Sequence, residues 1–223
     1  MNAIVVSDLH IGSPYFLHQG FESFLEKIPD DCELILNGDV IDDPKQKLQP
    51  DHQRILNRID EVSRRQRVVW VCGNHDNGYI PNGFKHIQFK THYTLDGKLL
   101  ISHGYDFDDI MPKSQMFIQL FKLMHGLMIK LGARPVHVAD YAKRFGRLYK
   151  ILRDNVMKNA VHCALENGYE AVICGHTHFP EDRMFNGIRY MNTGAWTELP
   201  AFYLQMTENE MRLIKTPYPF QSN

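Results

Sequence analysis

Residues 2–10 read Asn-Ala-Ile-Val-Val-Ser-Asp-Leu-His, an apolar run that ends in a carboxylate and an imidazole. A short run rich in β-branched residues and stopped by polar ones predicts a buried strand over Asn2–Ser7. The same kind of run recurs at Glu33–Asn37, Arg67–Cys72, Leu99–Ser102 and Ala171–Cys174. Helical spacing of apolar residues falls between runs at Phe21–Lys27 and His52–Arg65, and short strands are expected at Arg189–Asn192, Ala201–Gln205 and Arg212–Lys215. This alternation predicts the α/β class.

Each of the five apolar runs ends in residues that commonly bind metals. The five endings are Asp8-Leu9-His10, Gly38-Asp39, Gly73-Asn74-His75-Asp76, His103-Gly104 and Gly175-His176-Thr177-His178. Ligands of open α/β sheets bind outside the carboxyl ends of the strands, so these endings are expected to meet at one edge of one sheet. The first four are spaced as single β-α-β steps. The interval from His103 to His176 is longer, which predicts a helical insert over residues 110–165 within a single domain, 1–223.

The donors at these strand ends are imidazoles and hard oxygens, without a thiolate. Seven residues qualify as ligands: Asp8, His10, Asp39, Asn74, His103, His176 and His178. This mixture suits Mn, Fe or Zn. Seven donors are too many for one catalytic ion with open positions, whereas two ions that share a carboxylate would use them all. A pair of ions with a bridging hydroxide as nucleophile is suited to displacement at phosphorus.

These five motifs, in this order and spacing, resemble the motif set of the calcineurin-like metallophosphoesterases over residues 8–178. The resemblance implies a four-layer αββα sandwich. It also implies that one ion is held by Asp8, His10, Asp39 and His178, and the other by Asp39, Asn74, His103 and His176. Asn74, His75 and His176 would contact the substrate. His75 would act as general acid or transition-state stabiliser, and Asp42 would orient it. Both of these catalytic roles agree with the chemistry of an imidazole beside a carboxylate.

Within that superfamily, the chain is most similar to the UDP-2,3-diacylglucosamine hydrolase group of lipid A synthesis. The shared features are the Ser7-Asp8-Leu9-His10-Ile11 start, the residues after His103-Gly104 and a helical insert before Gly175. This resemblance implies cleavage of the pyrophosphate in a nucleotide-linked lipid, with release of UMP. His75 stands where that group has Arg. A general phosphodiesterase or phosphatase acting on soluble nucleotides, with an insert that serves dimerisation, is the alternative.

The predicted insert is both apolar and basic. Eleven of the sixteen residues from Met116 to Leu131 are apolar, and a second helical pattern starts at Tyr141. Residues 110–160 hold ten Lys or Arg against two acids, while the whole chain has a net charge of -1. These features suit acyl chains, an anionic phosphoester substrate or a peripheral membrane contact. A core or homodimer helix beside a solvated basic face is the open alternative.

Composition excludes several classes of protein. With 223 residues and 43% hydrophobic residues, the chain can bury a core without disulfides. Its four cysteines form no CxxC pair, and no uninterrupted apolar stretch reaches membrane-spanning length. We therefore expect a cytoplasmic protein, with membrane contact only at the inner face. Nucleic acid is not the expected partner, because no aromatic platform accompanies the basic residues. Histidines outside the motifs, including His137, are expected to be surface or packing residues, and Asp108 is expected to be solvated.

Overall fold

The computed structural model describes residues 2–76, 78–110, 123, 126–127, 129–132, 137 and 143–217. Its eleven strands are β1 Ala3–Val6, β2 Glu33–Asn37, β3 Val68–Val71, β4 Ile87–Lys90, β5 Tyr93–Leu95, β6 Leu99–Ile101, β7 Ala171–Cys174, β8 Glu181–Phe185, β9 Ile188–Asn192, β10 Phe202–Met206 and β11 Met211–Lys215. Three α-helices are described as whole elements: α1 His18–Leu25, α2 Pro50–Ser63 and α3 Gly146–Glu166. A 3₁₀ turn covers Tyr105–Phe107.

The strands form two sheets. The first has six strands in the order β11-β10-β1-β2-β3-β4, and the second has five in the order β5-β6-β7-β9-β8. Strands β1 to β4 are parallel to one another, as are β6, β7 and β9. The remaining strands, β5, β8, β10 and β11, add on antiparallel. Parallel strands bring their carboxyl ends to a common edge, which is where the sequence places its polar motifs.

Three clusters of buried apolar side chains fill the spaces between the helices and the two sheets. Alternate residues of a strand point to opposite faces, so Ile4 and Val6 pack towards α1 and α2 while Ala3 and Val5 pack towards the second sheet. On the far side of the second sheet, Val172 packs with buried residues of α3. Burial on both faces explains why the central strands read as continuous apolar runs. The fold is therefore the predicted four-layer αββα sandwich.

The structure departs in three respects from what the strand and helix patterns predicted. The strand endings were expected to meet at the edge of one sheet, whereas they follow strands of two sheets, as the family resemblance implies. The interval from Asn74 to His103 was expected to hold a helix between strands. Instead it holds the strands β4 and β5, and no helix forms within the described residues 78–102. Strand β8 was also not predicted. These three strands lie at the edges of their sheets and are only partly buried, so none gives the apolar run that marks a buried strand.

Most of the predicted helix Met116–Leu131 lies outside the described residues. Of its described part, Leu123, Leu127 and Leu131 are 56–75% exposed. α3 begins at Gly146, and its later residues, among them Met157 and Val161, pack on the second sheet. Within the described residues, no helix has both the length and the apolar character needed to cross a membrane.

Candidate metal centre

The backbone brings the first two motifs side by side. Beyond the ends of β1 and β2 the two backbone segments continue side by side, with an isolated parallel bridge between Ile11 and Ile41. The Asp8 N–H donates to the Gly38 carbonyl at 3.0 Å, and the His10 N–H donates to the Asp39 carbonyl at 2.9 Å. Side chains of the two loops are thereby held at one fixed spacing.

Five of the seven predicted ligands adopt a left-handed backbone conformation. The positive φ angles are 53° at Asp8, 51° at His10, 50° at Asp39, 63° at His176 and 53° at His178. Non-glycine residues rarely adopt this conformation, and each one costs on the order of 1 kcal/mol or more. Such strain clusters at functional sites, where the surrounding structure enforces it.

Glycines before the ligands allow the loops to approach one another closely. A Cβ atom on Gly73 would lie 2.2 Å from both the backbone nitrogen and Oδ1 of Asp39. One on Gly175 would lie 2.4 Å from Asp8 Oδ2, and one on Gly38 would lie 2.4 Å from the His103 ring. A glycine is therefore required at each of these three positions, which gives the Gly-Asp, Gly-Asn-His-Asp and Gly-His motifs a steric cause.

Asp8, His10 and His178 form the first tight group, and their ligand atoms all lie within 4.8 Å of one another. His178 Nε2 is 3.1 Å from Asp8 Oδ1 and 3.2 Å from His10 Nε2. The three side chains are all buried. Asp8 and His10 follow β1 of the first sheet, whereas His178 follows β7 of the second. Two imidazole nitrogens that face each other beside a carboxylate are a suitable donor set for a divalent cation.

A second group combines both carboxylates with His103. The ligand atoms of Asp8, Asp39 and His103 meet the same 4.8 Å limit. His103 Nε2 is 3.2 Å from Asp39 Oδ2 and 4.0 Å from Asp8 Oδ1. This nitrogen is fully buried and has no hydrogen-bond partner among the described residues. A buried imidazole nitrogen aimed at two carboxylates fits a metal ligand.

The outer nitrogens of two histidines point to the same conclusion. His103 Nδ1 donates to the backbone carbonyl of Asn37 at 2.9 Å, because a carbonyl only accepts. His10 Nδ1 lies 2.9 Å from Asp42 Oδ1. Metal-ligating histidines usually donate their second N–H to a carbonyl or carboxylate, which leaves the other nitrogen's lone pair for the ion. The residues present therefore fit a divalent metal centre.

His176 and Asn74 lie at the edge of this cluster. The His176 backbone N–H donates to the Asp8 carboxylate at 3.1 Å, and its ring lies 5.6 Å from that of His103. Its Nε2 faces Asp108 Oδ2 at 3.0 Å, which leaves Nδ1 for other partners. Asn74 is exposed and directly precedes His75, whose backbone N–H donates to Asp39 Oδ1 at 2.8 Å.

Asp42 makes two different contacts with the two imidazoles beside it. Its carboxylate pairs with His10, whereas its backbone carbonyl accepts from His75 Nδ1 at 2.7 Å. The Asp42 carboxylate itself is 3.8 Å from His75 Nδ1. The predicted orienting partner of His75 is therefore adjacent to it, and the hydrogen bond comes from the main chain. His75 Nε2 is the nitrogen left for a ligand.

Burial and charge shift the pKa values of the site strongly. Burial disfavours the charged form of Asp8, but attraction to His178 and His103 outweighs it and lowers the pKa of Asp8 to about 2. Burial likewise opposes protonation of His103, yet Asp39 and Asp8 raise the pKa of His103 to about 10. For Asp39 burial is again outweighed, here by the two neighbours His103 and His75, and its pKa is lowered. Such a dense negative centre attracts cations.

Three residues of the site were missed or misread in the sequence. Asp76 lies within a motif but was given no role, and it is fully buried beneath the ligand loops. Asp108 is 7% exposed rather than solvated, because it contacts His176. His137, expected to be a surface or packing residue without a role in the site, packs against the rings of His10 and His178. Asp76 has a sequence signal in its place within the motif Gly73-Asn74-His75-Asp76, whereas His137 stands outside every motif.

Known proteins give an independent comparison. The family profile described as calcineurin-like phosphoesterase matches residues 1–180. Curated relatives include the DNA polymerase II small subunits of Archaeoglobus fulgidus, 20% identical over 93% of this chain and 49% of theirs, and of Pyrococcus furiosus, 23% identical over 96% and 40%. The chain thus spans about half the length of the curated relatives it matches or less. Similar solved structures include the E. coli phosphoesterase Yfce, with 16% identity, 97% and 100% coverage and a TM-score of 0.48. An archaeal phosphodiesterase gives 16% identity, 96% and 99% coverage and a TM-score of 0.46.

The chain belongs to the calcineurin-like phosphoesterase family. Its clustered Asp and His side chains fit a divalent metal centre, the kind of site predicted from the sequence for a metal-dependent phosphoesterase.

Proposed function

We propose that this protein hydrolyses a phosphodiester or pyrophosphate bond with two divalent ions, most suitably Mn, with Fe or Zn as alternatives. The observation that carries the proposal is the sharing of carboxylates. Asp8 belongs both to the group with His10 and His178 and to the group with Asp39 and His103. Asp39, the predicted shared acid, also belongs to two groups, the one with Asp8 and His103 and another with His10 and His75. Two adjacent ligand groups that share an acid suit a pair of neighbouring ions. Asn74 and His176, at the edge, would complete the second group.

When bound, the ions supply a polarised phosphoryl group and a water of lowered pKa. The chain's own residues then have three tasks. Asp42 holds the ring of His10 through Nδ1, so that Nε2 keeps its direction. The Asp42 carbonyl fixes His75 in the same way, and His75 Nε2 donates to an oxygen of the substrate. Asn74 and His176 contact the phosphoryl group beside it. A positioned acid of this kind contributes about 10²–10⁴-fold to the rate.

The substrate that we propose is a nucleotide-linked lipid such as UDP-2,3-diacylglucosamine. Water adds to one phosphorus, the bond to the bridging oxygen breaks, and UMP leaves while the second phosphate stays on the lipid. Exposed apolar side chains within the segment predicted as an insert, 110–165, support acyl binding. Leu123, Leu127 and Leu131 recur every four residues and are 56–75% exposed, and on α3 Leu148 and Ile151 are 52% and 56% exposed.

Basic residues accompany this apolar surface. Arg144, Arg147 and Lys150 are exposed beside Leu148 and Ile151. Apolar and basic side chains on one helix suit a ligand with an anionic head and acyl tails, or the surface of an anionic membrane. The helical cap over 110–165 would thus hold the lipid part of the substrate, at the inner face of a membrane.

A side-by-side assay tests the substrate. The protein with Mn²⁺ is given UDP-2,3-diacylglucosamine, a soluble nucleotide diester without acyl chains, and a DNA oligonucleotide. The last is included because curated relatives are named as polymerase subunits. The proposal predicts that UMP release from the lipid has the highest kcat/KM. Equal rates on the soluble diester would support the second candidate, a general phosphodiesterase whose insert forms a dimer.

A further inference from the structure

His137 is a third imidazole at the metal centre that no sequence motif contains. Its ring stacks on that of His178 with 5.3 Å between centroids and 16° between planes. The His10 ring is 5.0 Å away, and Tyr15 meets His137 edge-on at 6.0 Å. Unlike the seven predicted ligands, His137 follows none of the strands that the described residues form, and it lies within the segment predicted as an insert, 110–165.

Asp42 lies at the centre of a group of imidazoles that includes His137. Ligand atoms of His10, Asp42 and His137 lie within 4.8 Å of one another. His75 contacts the same aspartate, and its ring lies 4.8 Å from that of His10 on an edge-on approach. His10 is thus bordered by one imidazole from the loop after β3 and one from the insert. Both are only partly buried, whereas His10 is 1% exposed.

These two partly exposed side chains flank His10, so a phosphoryl group bound at the ligand cluster would lie close to both of them. An imidazole carries at least one N–H donor in either protonation state, so it can donate to a phosphoryl oxygen. Such charge-assisted bonds are about twice as strong as neutral ones. We infer that His137 is a further catalytic residue, contributed by the insert, that donates a hydrogen bond to an oxygen of the phosphoryl group bound at the metal centre. This inference rests on the proposed function.

Two other roles are compatible with a histidine at this place. It can serve only to pack against His178, in which case any flat ring would replace it. It can also be an additional metal ligand, in which case its removal would lower the metal content. Donation to the substrate predicts a third pattern. The rate and the phosphate affinity then depend on the N–H donor and not on the aromatic ring, and the metal content stays unchanged.

Three variants separate these roles: His137→Ala, His137→Gln and His137→Phe. The rates use bis(p-nitrophenyl) phosphate with Mn²⁺, and the affinity for inorganic phosphate is measured by titration calorimetry of the Mn²⁺-loaded protein. We expect Ala and Phe to lower kcat/KM about 10-fold or more and to weaken phosphate binding about 5-fold or more. Gln, which keeps an N–H donor, should recover a substantial part of both. His162→Ala, at an exposed position of α3, is the matched control and should change neither.

Each alternative result overturns the inference. Wild-type rates and phosphate affinity in His137→Phe would show that the ring serves only to pack against His178. A lower Mn content in His137→Ala, measured by plasma mass spectrometry, would show that His137 is a metal ligand. Unchanged phosphate affinity in Ala would exclude contact with the phosphoryl group. If the wild-type protein hydrolyses none of the esters, the proposed function fails. The phosphate titration then decides on His137 by itself.

Discussion

Asp76 offers the sharpest test of how the ligand loops are held. Its Oδ2 accepts from the backbone N–H of Val40 at 2.7 Å and from Trp70 Nε1 at 3.1 Å. Its Oδ1 accepts from the backbone N–H of Gly73 at 2.7 Å. Val40 directly follows Asp39, and Gly73 directly precedes Asn74. One buried carboxylate therefore ties together the two loops that carry these predicted ligands.

The size of the effect follows from these three bonds. A buried donor that loses its acceptor costs about 1–3 kcal/mol. Asp76→Ala leaves three such donors and should lower the free energy of unfolding by about 3 kcal/mol or more, with the simple sum of about 9 kcal/mol as the upper limit, because costs within one hydrogen-bond network are not additive. A loss of that size approaches the total stability of many domains, about 5–15 kcal/mol. Asp76→Asn keeps one oxygen and sets an amide N–H₂ against one donor, so about 1–3 kcal/mol is expected.

Urea unfolding followed by tryptophan fluorescence measures the loss, because Trp70 and Trp196 are both fully buried. Asp30→Asn, at an exposed carboxylate, is the control and should change stability by less than about 0.5 kcal/mol. Mn²⁺ affinity of Asp76→Asn should also fall, because Asp39 loses a neighbouring constraint. An Asn variant with wild-type stability and wild-type Mn²⁺ affinity would refute the reasoning.

Three further predictions concern packing, metal and pH. Gly175→Ala should reduce both stability and Mn²⁺ content, because its Cβ would lie 2.4 Å from Asp8 Oδ2, while Gly146→Ala, which meets no atom within 4 Å, should retain both. Removal of metal with EDTA should lower the melting temperature, and added Mn²⁺ should restore it. A free Mn²⁺ concentration of a hundred times Kd should stabilise the folded protein by about 2.7 kcal/mol. An unchanged melting temperature would argue against a metal that stabilises the fold. Burial raises the pKa of Glu33, although a hydrogen bond to Tyr93 and the charge of Arg67 act in the opposite direction. The protonated side chain therefore contributes its full stability below the unfolded pKa near 4.5, and this contribution is lost as the pH rises through the raised pKa. Urea unfolding of Glu33→Gln should therefore show a stability relative to wild type that increases from pH 4 to pH 7, and a constant difference would contradict the assigned direction.

The sequence predicted the central strands well because they are buried on both faces. β2 and β7 match their predicted bounds, and β1 and β3 differ by one residue at each end. An apolar run stands out when layers cover both sides of a sheet. The edge strands β4, β5 and β8 were missed because a half-exposed strand of three to five residues gives too short a pattern to recognise.

The candidate site could be predicted where its residues follow strands. The end of a strand fixes the position of the next residue. A glycine beside that residue indicates that another ligand loop lies close to the backbone, as Asp39 does at Gly73 and Asp8 does at Gly175. His137 and Asp108 could not be found in this way. Neither residue belongs to a motif that directly ends a predicted strand, so their contacts with His178 and His176 are visible only in the folded chain.

Anomalous diffraction at the manganese edge tests the central claim most directly. In crystals grown with Mn²⁺, we expect two peaks among the buried carboxylates of Asp8 and Asp39 and the imidazoles of His10, His103 and His178. The same preparation should hydrolyse a phosphodiester. A preparation that hydrolyses the ester while its crystals show no peak among these side chains would contradict the account.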